Sequence, residues 1–446
     1  MNAYETLKSK LQNGTALVGV IGLGYVGLPL AHALHQGGLP VLGFDIDPEK
    51  IDALAKGVNY LKHLGDDMVR DLAGSERFRA TVDFSRLGEC DAVLVCVPTP
   101  LGKHLEPDMS YVVAAGNAIG RCIRAGQLLV LESTTYPRTT REDFLEAILN
   151  ADPARSRGLL QGRDIFVAFS PEREDPGRKS HSTSTIPKLV GGLEEQATEL
   201  ATMMYRRGIK QVIPVSSAEV AESAKLLENI FRAVNIALVN EMKTILEPMG
   251  IDVWEVIQAA ATKPFGFMPF YPGPGLGGHC IPIDPFYLSW KAREFGKQAK
   301  FIELAGEINS RMPHYVVDQT ARALNAEGKA TRGANLLVVG LAYKPDVDDT
   351  RETPAAEIIT LLSELGAKVA YHDPHVPEFP RMRKYDFDMH SVALSPETLA
   401  RFDAVVIVTD HAVIDYKAIG QHARLIIDTR NAMSKAGPCR AKVVKS

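Results

Sequence analysis

The chain has 446 residues, 46% hydrophobic and 23% charged, with a formal net charge of −4. That length predicts two or three domains with sizeable cores. The near-neutral balance, without a run of Lys or Arg, argues against a nucleic-acid or anionic-membrane surface. No basic-then-apolar leader opens the sequence, and no uncharged run is long enough to span a bilayer. Five scattered cysteines without a CxxC pair argue against a disulfide framework and a zinc site. No metal is therefore expected, and a reducing cytoplasm is the expected compartment.

The first strong segment is a continuous apolar run at 16–21, read as a buried parallel strand. Gly22-Leu23-Gly24-Tyr25-Val26-Gly27 follows, then a helix to about residue 35 and a second strand at 41–44 that ends in Asp45. In that setting the glycines read as a dinucleotide fingerprint. Gly22 permits the turn, Gly24 admits a pyrophosphate to the backbone, and Gly27 lets helix and strand pack closely. The helix N-terminus offers N–H groups to phosphate. Asp45 can accept hydrogen bonds from the adenosine ribose and repels a 2′-phosphate, which favours NAD over NADP. Lys50 reads equally as a neighbour of the adenosine and as a solvated surface charge. Two more buried strands are read at 91–100 and 126–137.

The pattern recurs at 334–374, with a strand, a loop, a helix and a strand ending in Asp373, and 403–411 echoes 91–100. The expected fold is α/β, two doubly wound Rossmann-like domains joined by a long central helix. The expected boundaries are 1–215, 216–325 and 326–446. The second unit has lost the glycine fingerprint. Its loop carries Lys344 and Arg351, which suit a second anionic nucleotide; a structural salt bridge among Asp346, Asp348, Asp349 and Arg351 is an equal reading. The central helix, about 220–250, has Leu227, Ile230, Val234, Leu238, Met242 and Ile245 at three- and four-residue steps. It spans about 45 Å, enough to brace both lobes and to pair with a second copy.

On that helix Lys225 and Asn229 stand four apart and share a face, with Glu222 one turn back. A lysine and an asparagine so placed can donate to one developing oxyanion; taken alone, an exposed polar stripe is the plainer reading. The stretch YPGPGLGGHCIPIDPFYL sets Cys280 among glycines and prolines, with Asp284 four residues on. Glycines allow close approach and positive φ, and prolines stiffen the loop. A disulfide, a metal site, a buried structural cysteine and a nucleophile are all open for such a thiol. In a chain that also binds NAD, a nucleophile suggests oxidation through a covalent thiohemiacetal and thioester.

The motifs GVIGLGYVGLPLA, ESTTYP, SPEREDPG, AESAKLLENIFRAVNIALVNE, GPGLGGHCIPIDP and GLAYKPDVDDTRETPA together resemble the UDP-glucose/GDP-mannose dehydrogenase superfamily over nearly the whole chain. The resemblance implies an N-terminal NAD domain, a central helical region that forms a homodimer, and a C-terminal UDP-sugar domain. It implies oxidation of a nucleotide sugar at C6 from alcohol to carboxylate with two NAD. The cysteine loop looks like that of the bacterial UDP-N-acetylglucosamine 6-dehydrogenase branch, which feeds surface-polysaccharide synthesis.

By the same resemblance Cys280 is the nucleophile, Lys225 and Asn229 stabilise the oxyanion, and Asp284 helps to position or activate a water. Glu172 assists thioester hydrolysis and Thr134 supplies a hydrogen bond. NAD contacts are implied at Gly22, Gly24, Tyr25, Val26, Gly27, Asp45, Lys50, Pro98, Thr99, Ser133, Thr134 and Arg351. UDP-sugar contacts are implied at Glu172, Arg173, Lys225, Asn229, Tyr271, Gly273, Gly275, Gly277 and Lys344. In one departure, UDP-glucose enzymes place an arginine of the neighbouring subunit shortly before the glycine loop, whereas residues 262–273 contain none. That fits a different sugar. The alternatives are a relative acting on UDP-N-acetylmannosamine or UDP-glucose, and a non-catalytic NAD-binding regulator.

Overall fold

A computed structural model describes residues 2–61, 65–102, 104–173, 183–278, 281–382 and 384–446. They form two compact units, Met1–Glu228 with Trp290–Lys297, and Asn229–Ser289 with Gln298–Ser446.

The first unit is built on β1 (Val18–Ile21), β2 (Val41–Phe44), β3 (Phe78–Thr81), β4 (Ala92–Val95), β5 (Gln127–Leu131), β6 (Ile165–Phe169), β7 (Lys188–Gly192) and β8 (Val212–Pro214). Their order is β3-β2-β1-β4-β5-β6-β7-β8, parallel except for the β6–β7 pair. The first six strands follow the dinucleotide-fold order, with its crevice where β1 and β4 diverge. Strands β1, β4, β5 and β6 are buried at every position. Helices cover both faces, so these strands read as continuous apolar runs and not as alternating ones. Val18 and Val20 pack with Leu28, Leu34 and Leu200 on one face, while Ile21 packs with Val112, Ile119 and Phe144 on the other. The strands are shorter than their apolar runs, because 96–100 and 132–137 pass beyond the sheet edge and form ligand-side loops.

The second unit holds β9 (Asn335–Val339), β10 (Lys368–His372), β11 (Ala404–Ile407), β12 (Leu425–Asp428) and β13 (Lys442–Lys445). They are all parallel in the order β10-β9-β11-β12-β13, the other common doubly wound arrangement. Helix Pro354–Glu364 starts on a Thr353 cap with proline in its first turn, so its entry is fixed locally. It buries Ile358, Ile359 and Leu362 against Val338 and Val406.

The central helix runs Ala218–Leu246 and passes into a short 3₁₀ turn, Glu247–Met249, which Gly250 closes at φ 73°. The helix proper therefore stops one turn before the glycine that was expected to end it. Its buried side is mixed, with Ala221, Leu226, Ala233, Ala237 and Val239 beside several polar side chains. Glu222, Lys225, Asn229, Asn240 and Lys243 are buried, whereas Leu227, Phe231, Leu238 and Ile245 are exposed.

Candidate active site

The nucleotide end of the first unit is set by backbone geometry. Gly22 sits at φ 89°, and a Cβ there would lie 2.4 Å from the Cys96 carbonyl oxygen, so only glycine makes this turn. A Cβ on Gly27 would lie 1.9 Å from the Gly22 oxygen, whereas one on Gly24 meets nothing within 4 Å. The loop is thus crowded on its protein side and open at Gly24. Helix Gly27–Gln36 begins after Val26 without a side-chain cap; the Leu28 amide donates to the Gly24 carbonyl at 3.0 Å and Pro29 has no N–H, so the helix offers a phosphate mainly the positive end of its dipole. Tyr25 lies half-buried beside Val26.

Asp45 is buried at the end of β2 and accepts from the Leu23 amide at 2.9 Å. Lys50, partly exposed, approaches both Asp45 oxygens at 3.3 and 3.2 Å. Across the crevice, Ser133 Oγ accepts from the Val97 amide at 3.0 Å, and Thr99 Oγ1 donates to the Thr134 carbonyl at 2.8 Å. The Pro98–Thr99 and Ser133–Thr134 loops are thereby tied together. An open glycine turn, an uncapped helix and a carboxylate at the next strand end fit a dinucleotide.

Farther along this unit, Lys225 Nζ donates to the main-chain carbonyl of Glu172 at 2.6 Å and lies 3.7 Å from its carboxylate. Lys225 is only 5% exposed, which rules out a solvated polar stripe. Burial pushes the Glu172 carboxyl above its ordinary range, against the pull of Lys225 and Lys188. A buried carboxyl so tuned suits proton transfer. Arg173 is directed elsewhere, to Glu228 at 2.6 Å. Glu222 does not join the pair. It accepts from the Arg138 and Thr140 amides and the Thr140 hydroxyl at 2.6, 2.9 and 2.7 Å, so it anchors a neighbouring segment.

In the second unit, Asn229 donates to Asp284 at 2.5 Å, both side chains being buried. Asp284 opens helix Asp284–Glu294, where a carboxylate meets the positive end of the helix dipole. Cys280, which the sequence places in the loop before it, lies outside the described residues. The described part of that loop is held closely. The Gly273 amide donates to Asn240 Oδ1 at 3.0 Å, and the Gly278 amide to the Arg351 carbonyl at 2.9 Å. A Cβ on Gly277 would lie 2.5 Å from Tyr343 Cβ, and one on Gly275 3.2 Å from Pro354. Tyr271 stacks on Trp254 with ring centroids 5.5 Å apart.

The loop after β9 keeps one glycine of the fingerprint, Gly340, at φ 89° against Thr409. Its would-be ribose acid, Asp373, is consumed internally. It accepts from the Leu341 and Ala342 amides at 2.6 and 2.9 Å and meets His411 Nε2 at 3.0 Å. Lys344 lies half-buried over the Tyr343 ring, and Arg351 forks onto Asp349 with an Nη2–Oδ2 distance of 2.5 Å. The salt-bridge reading of Arg351 therefore holds for Asp349. Asp346, His375 and His411 offer ligand atoms within 4.8 Å of one another. His411 Nδ1 accepts from the Asp346 amide at 3.0 Å and Nε2 faces Asp373, so neither nitrogen is left for a cation.

Arg430 stands two residues past β12 and belongs to none of the sequence motifs. A Cβ on Gly273 would lie 2.5 Å from its Nη1, which puts a half-buried guanidinium, donating to the Val408 carbonyl at 2.8 Å, directly against the glycine loop. Its signal is its place, just beyond the carboxyl end of a parallel strand.

Family models match most of the chain. The NAD binding domain of the UDP-glucose/GDP-mannose dehydrogenase family covers residues 16–209, its central domain 219–311 and its UDP binding domain 337–435. A UDP-N-acetyl-D-glucosamine 6-dehydrogenase of Pseudomonas aeruginosa is 35% identical over 404 residues, 90% of this chain and 92% of the relative. An NDP-N-acetyl-D-galactosaminuronic acid dehydrogenase of Ralstonia nicotianae is 34% identical over 428 residues, 94% of this chain and 96% of the relative. The solved structure of a UDP-D-ManNAc dehydrogenase from Pyrococcus horikoshii superposes with a TM-score of 0.85 at 32% identity, over 96% of this chain and 99% of that one. Among the described residues no helix is long and apolar enough to cross a membrane. The chain belongs to the UDP-glucose/GDP-mannose dehydrogenase family and is an NAD-dependent UDP-sugar dehydrogenase.

Proposed function

We propose that the chain oxidises UDP-N-acetylglucosamine at C6 to the uronate for surface-polysaccharide synthesis, through a thiohemiacetal and a thioester on Cys280. The observation that carries this reading is the burial of two polar pairs on successive turns of one helix, Lys225 with Glu172 and Asn229 with Asp284. Bound NAD accepts the hydride in each oxidation. Gly22, Gly24, Val26, Gly27 and Asp45 hold it, and the tied loops 98–99 and 133–134 wall its site. The Cys280 thiol adds to the C6 aldehyde left by the first oxidation, and the second oxidation converts that adduct to a thioester. Lys225 and Asn229 donate to the oxygen as charge develops on it, which requires donors fixed beforehand in a dry site. Asp284 fixes the Asn229 amide. Glu172 takes a proton from the water that cleaves the thioester, releasing carboxylate and thiol. Arg430, Lys344, Gly273 and Gly275 face the nucleotide half of the substrate. The missing arginine in 262–273, together with the P. aeruginosa relative, supports the N-acetylglucosamine form. The exposed stripe of the central helix supports a homodimer, and the boundaries 1–215, 216–325 and 326–446 are kept as the functional division.

Turnover on a panel of UDP-sugars, with NADH counted per sugar, tests the substrate. Preference for UDP-glucose or UDP-N-acetylmannosamine would overturn that choice, and no turnover at all would favour a regulator. The Cys280→Ser enzyme is expected to bind NAD and UDP-sugar almost normally while losing steady-state turnover by several orders of magnitude. Two NADH per sugar at the wild-type rate in that variant would remove the thiol from the chemistry.

A further inference from the structure

Behind Glu172 lies a second buried acid–base pair, Glu132 of the ESTTYP motif with Lys188, to which the proposed mechanism gives no role. Glu132 stands just past β5 and is fully buried; Lys188 opens β7 and is 8% exposed. Lys188 Nζ lies 2.6 Å from Glu132 Oε2, and the Tyr205 hydroxyl donates to the other carboxylate oxygen. The same ammonium reaches the main-chain carbonyl of Pro171 at 3.3 Å, one residue before Glu172. A cavity of about 30 Å³ opens here, lined by Glu132, Glu172, Arg173 and Lys188. It has room for one or two waters.

Burying four charges side by side is expensive, several kcal/mol per ion even after pairing, and apolar residues of similar volume would fold at least as well. The arrangement therefore points to a task. We propose that Lys188 is a positioning residue for Glu172: it pins the 171–172 backbone and sets the carboxyl's ionisation, with Glu132 and Tyr205 holding its ammonium in place. This rests on Glu172 being the base of thioester hydrolysis.

The groups that face Glu172 come from several elements. Lys225 lies on the central helix and Lys188 on β7. Glu132 follows β5 and the half-buried Cys96 thiol follows β4, while Tyr205, at the end of helix Glu195–Tyr205, meets Glu132. Arg173, adjacent in sequence, is held by Glu228. Of these, Lys188 favours the Glu172 carboxylate and Glu132 opposes it, so the two variants carry opposite signs.

The test uses the full-length enzyme with NAD and the UDP-sugar it turns over best. Acyl-enzyme decay is followed by uronate release and by intact mass. Lys188→Met is expected to move the acid limb of hydrolysis up, and Glu132→Gln to move it down, each by about one pH unit. The double variant, which leaves no buried charge unpaired, is expected to fold and to return the limb toward wild type. Glu172→Gln is expected to stall as the acyl adduct. If Glu172→Gln stalls while both single variants keep the wild-type limb, or move it the same way, the positioning role is wrong and Glu172 remains the base. If Glu172→Gln hydrolyses at the wild-type rate, the underlying reading falls and this inference with it.

Discussion

The Asn229 amide donates to the Asp284 carboxylate at 2.5 Å, and both groups are buried. The bond joins a residue in mid-helix to the first residue of another helix, so its loss is felt at two places. Removing one partner leaves the other without it in a dry site.

Asn229→Ala is expected to lower kcat by about 10²–10³ with little change in UDP-sugar affinity, the loss usual for one oxyanion donor. Asn229→Asp sets two carboxylates at hydrogen-bond distance, and one of them must take a proton. Its folded pKa is then raised, so this variant is expected to lose thermal stability as pH rises from about 5 to about 8, relative to wild type. A melting temperature that tracks wild type across that range would mean that the two groups do not face each other in solution.

The central helix turns Leu227 (66% exposed) and Leu238 (53% exposed) to solvent, with Phe231 and Ile245 on the same side. The proposed homodimer would pair through this stripe. Leu227→Glu with Leu238→Glu is expected to convert a dimer into monomer in sedimentation velocity at micromolar concentration. A wild-type chain already monomeric and fully active at that concentration would end the homodimer proposal.

Lys243 is 3% exposed, and its ammonium has no hydrogen-bond acceptor among the described residues. Burial lowers its pKa from 10.5 to about 8, with Glu247 and Asp428 pulling the other way. The unfolded chain therefore holds this proton more tightly than the fold, and stability should rise with pH between those values. The drop corresponds to about 3 kcal/mol. Lys243→Met is expected to stabilise the second unit by up to that amount at about pH 7, with the gain fading toward about pH 10. Urea midpoints at both pH values check this; a variant less stable at both would show that the charge is supported in the fold.

The N-terminal nucleotide fold was legible because its signals are local. The apolar run of β1, the three glycines, the helix start and Asp45 lie within thirty residues, so their spacing alone carries the signal. The same holds for the second βαβ unit from β9 to Asp373, although only the structure revealed that Asp373 is taken up by its own loop and by His411. The family motifs added Glu172 and Asp284, which periodicity could not have connected to Lys225 and Asn229.

What tertiary structure alone decided is which surface each side chain meets. Periodicity placed an apolar stripe on the central helix and a lysine and an asparagine on one face. It could not say that Lys225 and Asn229 go inward while Leu227 and Leu238 stay exposed, because burial is set by the elements packed around a helix and not by its own pattern. Glu132 and Lys188 stand 56 residues apart, on strands separated in the sheet by β6, and Arg430 meets Gly273 only because β12 and the glycine loop converge. Such pairs carry no spacing signal. Their geometry exists only once the sheet has fixed the strand order, and their energetics change sign with burial, from a weak exposed contact to a costly buried charge that must find a partner.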